Sequence, residues 1–252
     1  MISERSFAAS FSSFWTELLP MLTPSFVSIV NNGYKKSLKD EHGMPINPVQ
    51  KLPDIEDASI VSEFAFYLAQ ISLNKKLNIE EVFSNEKLRE QAEYSALRII
   101  AQYEGTSKYQ RKSLTKAELN EGMTLALNYQ NFLKDRGKGQ RIDFSPTILG
   151  AGFLAKCTAD LSIGDTLFEI KTVNRNLASK DIRQLIVYLA LQSVTGDRRW
   201  LKAGFLNPRK AVYHEFFVDD IIYRMSGRSA IEVFQDLITY VCTRDVQIDT
   251  AF

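Results

Sequence analysis

Cysteine is nearly absent from this chain: Cys157 and Cys242 are the only two in 252 residues. That count excludes a zinc ribbon or a four-thiolate iron–sulfur cluster and argues against a disulfide framework, so reduced thiols in a cytoplasm are expected. Histidine is as scarce. His42 and His214 stand alone, without the neighbours of a zinc ligand set or a catalytic triad. There is no excess of charge either: 31 Lys and Arg against 30 Asp and Glu leave a net +1, so any nucleic-acid contact must come from local basic clusters. No apolar run reaches the 18 residues of a membrane span, and the opening MISERSFAASFSSFW lacks the apolar core of a signal peptide. Internal repeats and low-complexity tracts are absent as well.

What remains is an ordinary globular composition, 45% hydrophobic and 24% charged, in a chain long enough for one large domain or two small ones. The first hundred residues read as helical. Phe7, Phe11, Phe14, Trp15, Leu18 and Leu19 recur at three- and four-residue spacing up to Pro20, and a second apolar stretch runs to a C-cap at Asn31-Asn32-Gly33. Residues 35–54 carry three prolines and no clear period, which predicts an exposed loop. Helical patterning returns over 60–73, 88–103 and 117–133, with the basic stretch 108–116 between the last two. After Gly139 the pattern changes to strands at 142–149, 154–163 and 166–173, a helix at 180–193, strands at 200–207 and 212–218, and a helix at 229–241. The expectation is an α/β fold: a mixed central sheet flanked by helices (residues 116–252), preceded by a helical N-terminal region (1–115), with a helical crossover returning a later strand beside the first ones.

The segment Thr158-Ala-Asp160-Leu-Ser-Ile-Gly164-Asp165-Thr-Leu-Phe-Glu169-Ile-Lys171-Thr172 concentrates chemistry. Gly164-Asp165 suits a two-residue type II′ turn, because glycine accepts a positive φ at the first central position. If those two residues form the loop, Asp160 lies directly across from Glu169, and Lys171 points to the same face. Phe168 and Ile170, with Ala159 and Leu161 on the partner strand, would anchor the opposite face. Like charges opposed on a sheet destabilise it, which gives a structural role no reason for two carboxylates there. A divalent cation turns that repulsion into shared coordination. A solvent-facing hairpin in which Lys171 makes surface pairs satisfies the same spacing.

The same residues resemble the PD-(D/E)XK nuclease superfamily, whose signature is an acid on one strand and E/D-x-K on the next, here Asp160 and Glu169-Ile170-Lys171. Ala159 stands where the family usually has proline. The following helix holds Gln184-Leu-Ile-Val-Tyr188, which looks like the Q-x-x-x-Y motif of the RecB-like branch, its two polar side chains at i and i+4 on one face. The resemblance covers residues 117–207 or so and implies hydrolysis of DNA phosphodiester bonds, with roles such as restriction, repair or phage defence. It implies Mg²⁺ or Mn²⁺ held by Asp160, Glu169 and the Ile170 carbonyl, and Lys171 positioning the attacking water. Gln184 would hold substrate or the lysine, and Tyr188 would support that edge or touch DNA. Members of the branch carry a further acid on an upstream helix; Glu121 is the chosen candidate, with Glu118, Glu63, Glu93 and Glu104 open. Asp165 is read as a turn residue. Candidate DNA contacts are Arg175, Lys180 and Arg183, then Arg198, Arg199, Lys202, Arg209 and Lys210. Two other readings stand beside this one. One is a nuclease-like module that binds nucleic acid or protein without cutting; the other is an effector subunit that docks a partner, or a second copy, through the apolar stripe from Phe7 to Leu19, although core packing also explains that stripe.

Overall fold

The computed structural model describes residues 1–104, 111, 113–195 and 200–244. In chain order the described elements are α1 (Glu4–Ala9), α2 (Ser12–Leu18), α3 (Pro24–Gly33), β1 (Lys35–Ser37), α4 (Ala58–Lys75), α5 (Ile79–Ser84), α6 (Glu86–Glu104), α7 (Lys116–Arg136), β2 (Ile142–Phe144), β3 (Thr147–Ile148), β4 (Cys157–Thr158), β5 (Leu161–Ile163), β6 (Thr166–Ile170), α8 (Ser179–Thr195), β7 (Lys202–Asn207), β8 (Val212–Phe217), α9 (Val218–Ser226) and α10 (Ala230–Thr243). Several helix starts are written into the sequence as capping boxes: Thr115 with Glu118 opens α7, and Ser229 with Glu232 opens α10.

Six strands form one mixed sheet in the order β1-β8-β7-β6-β5-β2. The β6–β7 pair is parallel and is joined through α8, the crossover expected from the sequence; the other pairs are antiparallel. Side-chain alternation sends Leu167 and Phe205 into one core and Phe168 and Leu206 into the other. The first core is closed by α1, α2, α3, α8, α9 and α10, and the second by α4 to α7. The architecture is α/β, a mixed sheet with helices on both faces and a helical region ahead of it. Where β7 passes β8 the backbones are close: a Cβ on Gly204 would lie 2.0 Å from the His214 carbonyl oxygen, so only glycine fits.

The structure departs from the sequence reading at identifiable points. The apolar stripe from Phe7 to Leu19 is two short helices, because Phe11 takes a left-handed conformation (φ 56°) between them. Its Phe7, Trp15, Leu18 and Leu19 are core residues, at most 4% exposed, so core packing and not an open docking face accounts for them. The loop over 35–54 includes β1, whose three side chains are exposed and which joins the sheet edge through its backbone. The long strands expected over 142–149 and 154–163 are each broken in two, the first at Ser145 (φ 55°) and Pro146. Packing does not follow a division at 115/116. β1 belongs to the same sheet as the hairpin, and both cores draw residues from either side of that point. Residues 108–110 and 112 of the basic stretch 108–116 lie outside the described residues.

Glu121, on α7, is a fold residue. It is 2% exposed, pairs with the equally buried Arg209 guanidinium at 2.5 Å, and accepts a hydrogen bond from the Leu52 N–H at 2.9 Å. Removing one partner of such a pair strands the other charge in the core. Glu121→Ala should therefore cost about 3–5 kcal/mol in urea unfolding. A Glu121→Leu/Arg209→Met double variant should recover most of that loss; a loss under about 1 kcal/mol for the single variant would contradict the assignment.

Candidate active site

The hairpin has the register deduced from its turn. Leu161 pairs with Phe168, Ser162 with Leu167 and Ile163 with Thr166, and continuing one step places Asp160 opposite Glu169. Gly164 adopts φ 56°, and Asp165 is outside the positive-φ set, as a type II′ turn requires. Asp165 stays in the turn, where its carbonyl accepts from Leu201 and Lys202. Phe168, Leu161 and Ile170 anchor one face in the α4–α7 core. Ala159 instead packs in the other core, because the chain bends between β4 and β5 and strand alternation stops there.

Glu169 is 1% exposed, and burial together with the facing Asp160 pushes its pKa up to about 8 against the pull of Lys171. Asp160 is raised as well: burial outweighs the Ile170 N–H, which donates to its Oδ2 at 2.6 Å, and the attraction of Lys171 and Arg5. One Glu169 oxygen accepts from Lys171, while the other, Oε2, is buried without a partner. Two ionised carboxylates offer no donor to each other. The pair is relieved either by one retained proton, which bonds Asp160 to Glu169, or by a cation between them.

Lys171 is held by two hydrogen bonds and a longer ion pair. Its Nζ donates to Glu169 Oε1 and to Gln184 Oε1, both at 2.9 Å, and lies 3.9 Å from Asp181 Oδ1. Gln184 in turn donates to the Tyr188 hydroxyl at 2.9 Å, and that hydroxyl donates to Glu4 Oε1 at 3.1 Å. The i, i+4 pair on α8 thus forms a relay of hydrogen bonds from the lysine to α1. Tyr188 is 1% exposed, so it supports this edge from inside the core and presents no surface to a ligand.

No family model matches this chain, and no curated protein does.

The structure sorts the upstream acids. Glu121 is committed to Arg209, away from the hairpin, and Glu118 is buried against Arg111. Burial opposes the Glu118 charge, but the Arg111 hydrogen bond and the backbone N–H groups of Thr115 and Asp57 hold its pKa near 2. Glu93 caps the Leu114 N–H, and the Glu104 side chain is outside the described residues. Glu63, on α4, does reach the site: it lines the clefts on both sides of Ile170, facing Arg5. Three groups have no signal in the sequence. Glu4 and Arg5 come from α1, and Asp181 anchors both Arg175 and the start of α8.

The candidate basic contacts also separate. Arg209 is buried in its ion pair, Arg183 lies over the Trp15 ring, Lys202 lies over Phe217, and Arg175 is bound bidentately by Asp181. Lys180 lines the main cleft, whose volume is about 680 Å³, beside Lys171, Arg175 and Arg5. Arg198 and Arg199 lie outside the described residues. His42 is a surface group beside Glu41, Cys157 is buried and Cys242 exposed, both as free thiols. Among the described residues, no helix is long and apolar enough to cross a membrane.

Among the described residues no three His, Cys, Asp or Glu side chains are grouped to hold a metal. The donor set is Asp160, Glu169 and the Ile170 carbonyl. It suits Mg²⁺, which commonly takes one or two carboxylates and keeps several waters, and Glu169 Oε2, which meets no donor among the described residues, is an oxygen such an ion could take.

A pH dependence follows. The unfolded chain releases the Glu169 proton near the ordinary glutamate value of 4.5, while the folded chain keeps it to about 8. Between those values the folded state binds more protons, so metal-free stability should fall as pH rises through this window. Glu169→Gln should flatten the decline and raise Tm by several degrees at pH 8, where ~1 kcal/mol corresponds to about 2–4 °C at this size. Mg²⁺ should raise the wild-type Tm at pH 8 and leave the variant nearly unmoved. A variant melting below wild type in EDTA would reject the repulsion.

Proposed function

We propose that this chain is a metal-dependent deoxyribonuclease of the PD-(D/E)XK kind, close to the RecB-like branch, which hydrolyses phosphodiester bonds. One observation carries the reading: the hairpin sets the half-buried Asp160 opposite the buried Glu169, with Lys171 on the same face and fixed by Gln184. Such a pair needs a shared proton or a shared cation, the cation displacing the proton when it binds, and an ammonium held beside it is placed for phosphate chemistry.

The residues divide the work. Asp160, Glu169 and the Ile170 carbonyl would hold Mg²⁺ or Mn²⁺, which when bound supplies Lewis acidity toward the scissile phosphate and lowers the pKa of water. Lys171, 14% exposed at its side chain, reaches the cleft and orients the attacking water by donating a hydrogen bond. It also stabilises the negative charge that grows on the non-bridging phosphate oxygens as the water oxygen bonds to phosphorus and the bond to the departing sugar oxygen breaks. Gln184 and Tyr188 keep that ammonium in place. Arg5 and Lys180 on the walls of the cleft give the strand backbone its counter-charge.

The test is cleavage of plasmid and of single-stranded DNA in Mg²⁺, Mn²⁺ or EDTA. Wild type should cut only with metal, and Lys171→Ala should lose about 10²–10⁴ in rate when assayed well below its own Tm, a range typical for a positioned charge or proton-transfer group. Tyr188→Phe should lose less, since it only loosens the relay. Equal cutting by Lys171→Ala would overturn the site. No cutting of either substrate by wild type would leave a binding module.

A further inference from the structure

A second cavity, about 450 Å³, adjoins the candidate active site and shares Lys171 and Arg175 with it. It lies between the end of α3, the edge of the sheet where β1 meets β8, and the loop that follows β6. Four of its lining residues are cationic and none is acidic. Their charges are not equally available. Lys171 is paired with Glu169, and Arg175 with Asp181. Lys35 and Lys210 have no carboxylate partner among the described residues; the Lys210 ammonium rests on the neutral Asn176 side-chain oxygen at 2.8 Å.

The floor of the cavity is His214. Sheet register sets it beside Lys35. It is 5% exposed, and neither ring nitrogen makes a hydrogen bond of full geometry; the Asn31 backbone lies close enough only to favour the protonated ring. Burial, opposed by Asn31 and reinforced by Lys35 and Lys210, holds its pKa near 4, so the ring is neutral at physiological pH with one N–H to donate. An unpartnered buried donor is costly, and each such group calls for an explanation. Here it faces a walled space in which two positive charges are uncompensated.

We propose that this cavity is a phosphomonoester site that receives the terminal phosphate of a nucleic-acid strand lying in the adjoining active-site cleft. The inference rests on the nuclease reading for the identity of the ligand. The charge count selects the phosphate type: a monoester carries close to two negative charges at neutral pH, whereas an internal diester carries one. Lys35 and Lys210 supply two, and His214 supplies a neutral donor. Continuity through Lys171 and Arg175 places the strand end next to the scissile position, which makes the enzyme one that works from ends. A free nucleotide offers the same monoester, and the experiment separates the two sources.

Binding is measured in EDTA, so that nothing is cut, by fluorescence anisotropy of an internally labelled single strand bearing a 5′-phosphate, a 3′-phosphate or only hydroxyl ends. Inorganic phosphate and a deoxynucleoside monophosphate are the competitors. A phosphate at one end should tighten binding at least about tenfold. Lys35→Ala/Lys210→Ala should abolish that gain while holding hydroxyl-ended strands within about twofold, and each lysine should lower the salt slope for the phosphorylated strand by about 1. His214→Gln, which keeps a neutral donor, should retain more of the gain than His214→Leu; matched melting temperatures show that the variants fold. Millimolar monophosphate that binds without any end preference would keep the site and assign it to free nucleotide. Equal affinity for all three ends with no competition, or a gain that survives the double variant, would overturn the proposal. End discrimination by a protein that never cuts DNA would keep the cavity and sink the nuclease reading, and cutting without end discrimination would do the reverse.

Discussion

Asp160 and Glu169 repel one another across a hairpin from which water is largely excluded, and much of the molecule is arranged to hold them there. The turn at Gly164-Asp165 fixes the register that opposes them. Phe168 and Leu161, fully buried on the far face, prevent the strands from slipping, because a shift by one residue would turn both apolar side chains toward the site. The Ile170 N–H and the Lys171 ammonium offset part of the repulsion, and the latter is fixed through Gln184 and Tyr188 to α1. The cost that remains lies on the Glu169 Oε2, which meets no donor among the described residues unless the pair keeps a proton.

The hairpin was legible in the sequence because its determinants are local: a glycine at a turn and a side-chain period of two. The Gln184/Tyr188 face was legible for the same kind of reason, a helical period over four residues. Other parts depend on partners far along the chain. Glu121 and Glu63 read alike as helix glutamates. Only the fold gives the first to Arg209, 88 residues away, and turns the second toward the clefts beside Ile170. The strand breaks near Ser145 and the two-part opening helix come from left-handed backbone at non-glycine residues, which propensity does not foresee. β1 has no apolar pattern at all and exists as a strand because β8 offers it an edge.

Basic residues show the same division in electrostatic terms. Sequence proximity grouped Arg209 with Lys210, yet one is sealed in the core as a counter-ion and the other lines a cavity without a carboxylate partner. Arg175 and Lys180 were another such pair, and Asp181 neutralises the first while the second remains on the cleft wall. With a net charge of only +1, a positive surface has to be made by withdrawing acids from one region. Here the carboxylates near the clefts are turned inward, toward ion pairs or toward each other.

The bond from Tyr188 to Glu4 spans 184 residues of chain. Contacts of such long range carry a large loop-closure cost and form late in folding. The hairpin is held by local pairing, but the Gln184 and Tyr188 side chains that brace its ammonium are tied to α1 only once the N-terminal segment has docked on α8. Incompletely folded or clipped molecules would hold the acidic pair without a braced lysine. The N-terminal segment thus belongs to the bracing of the hairpin's ammonium, far as it lies from it in sequence.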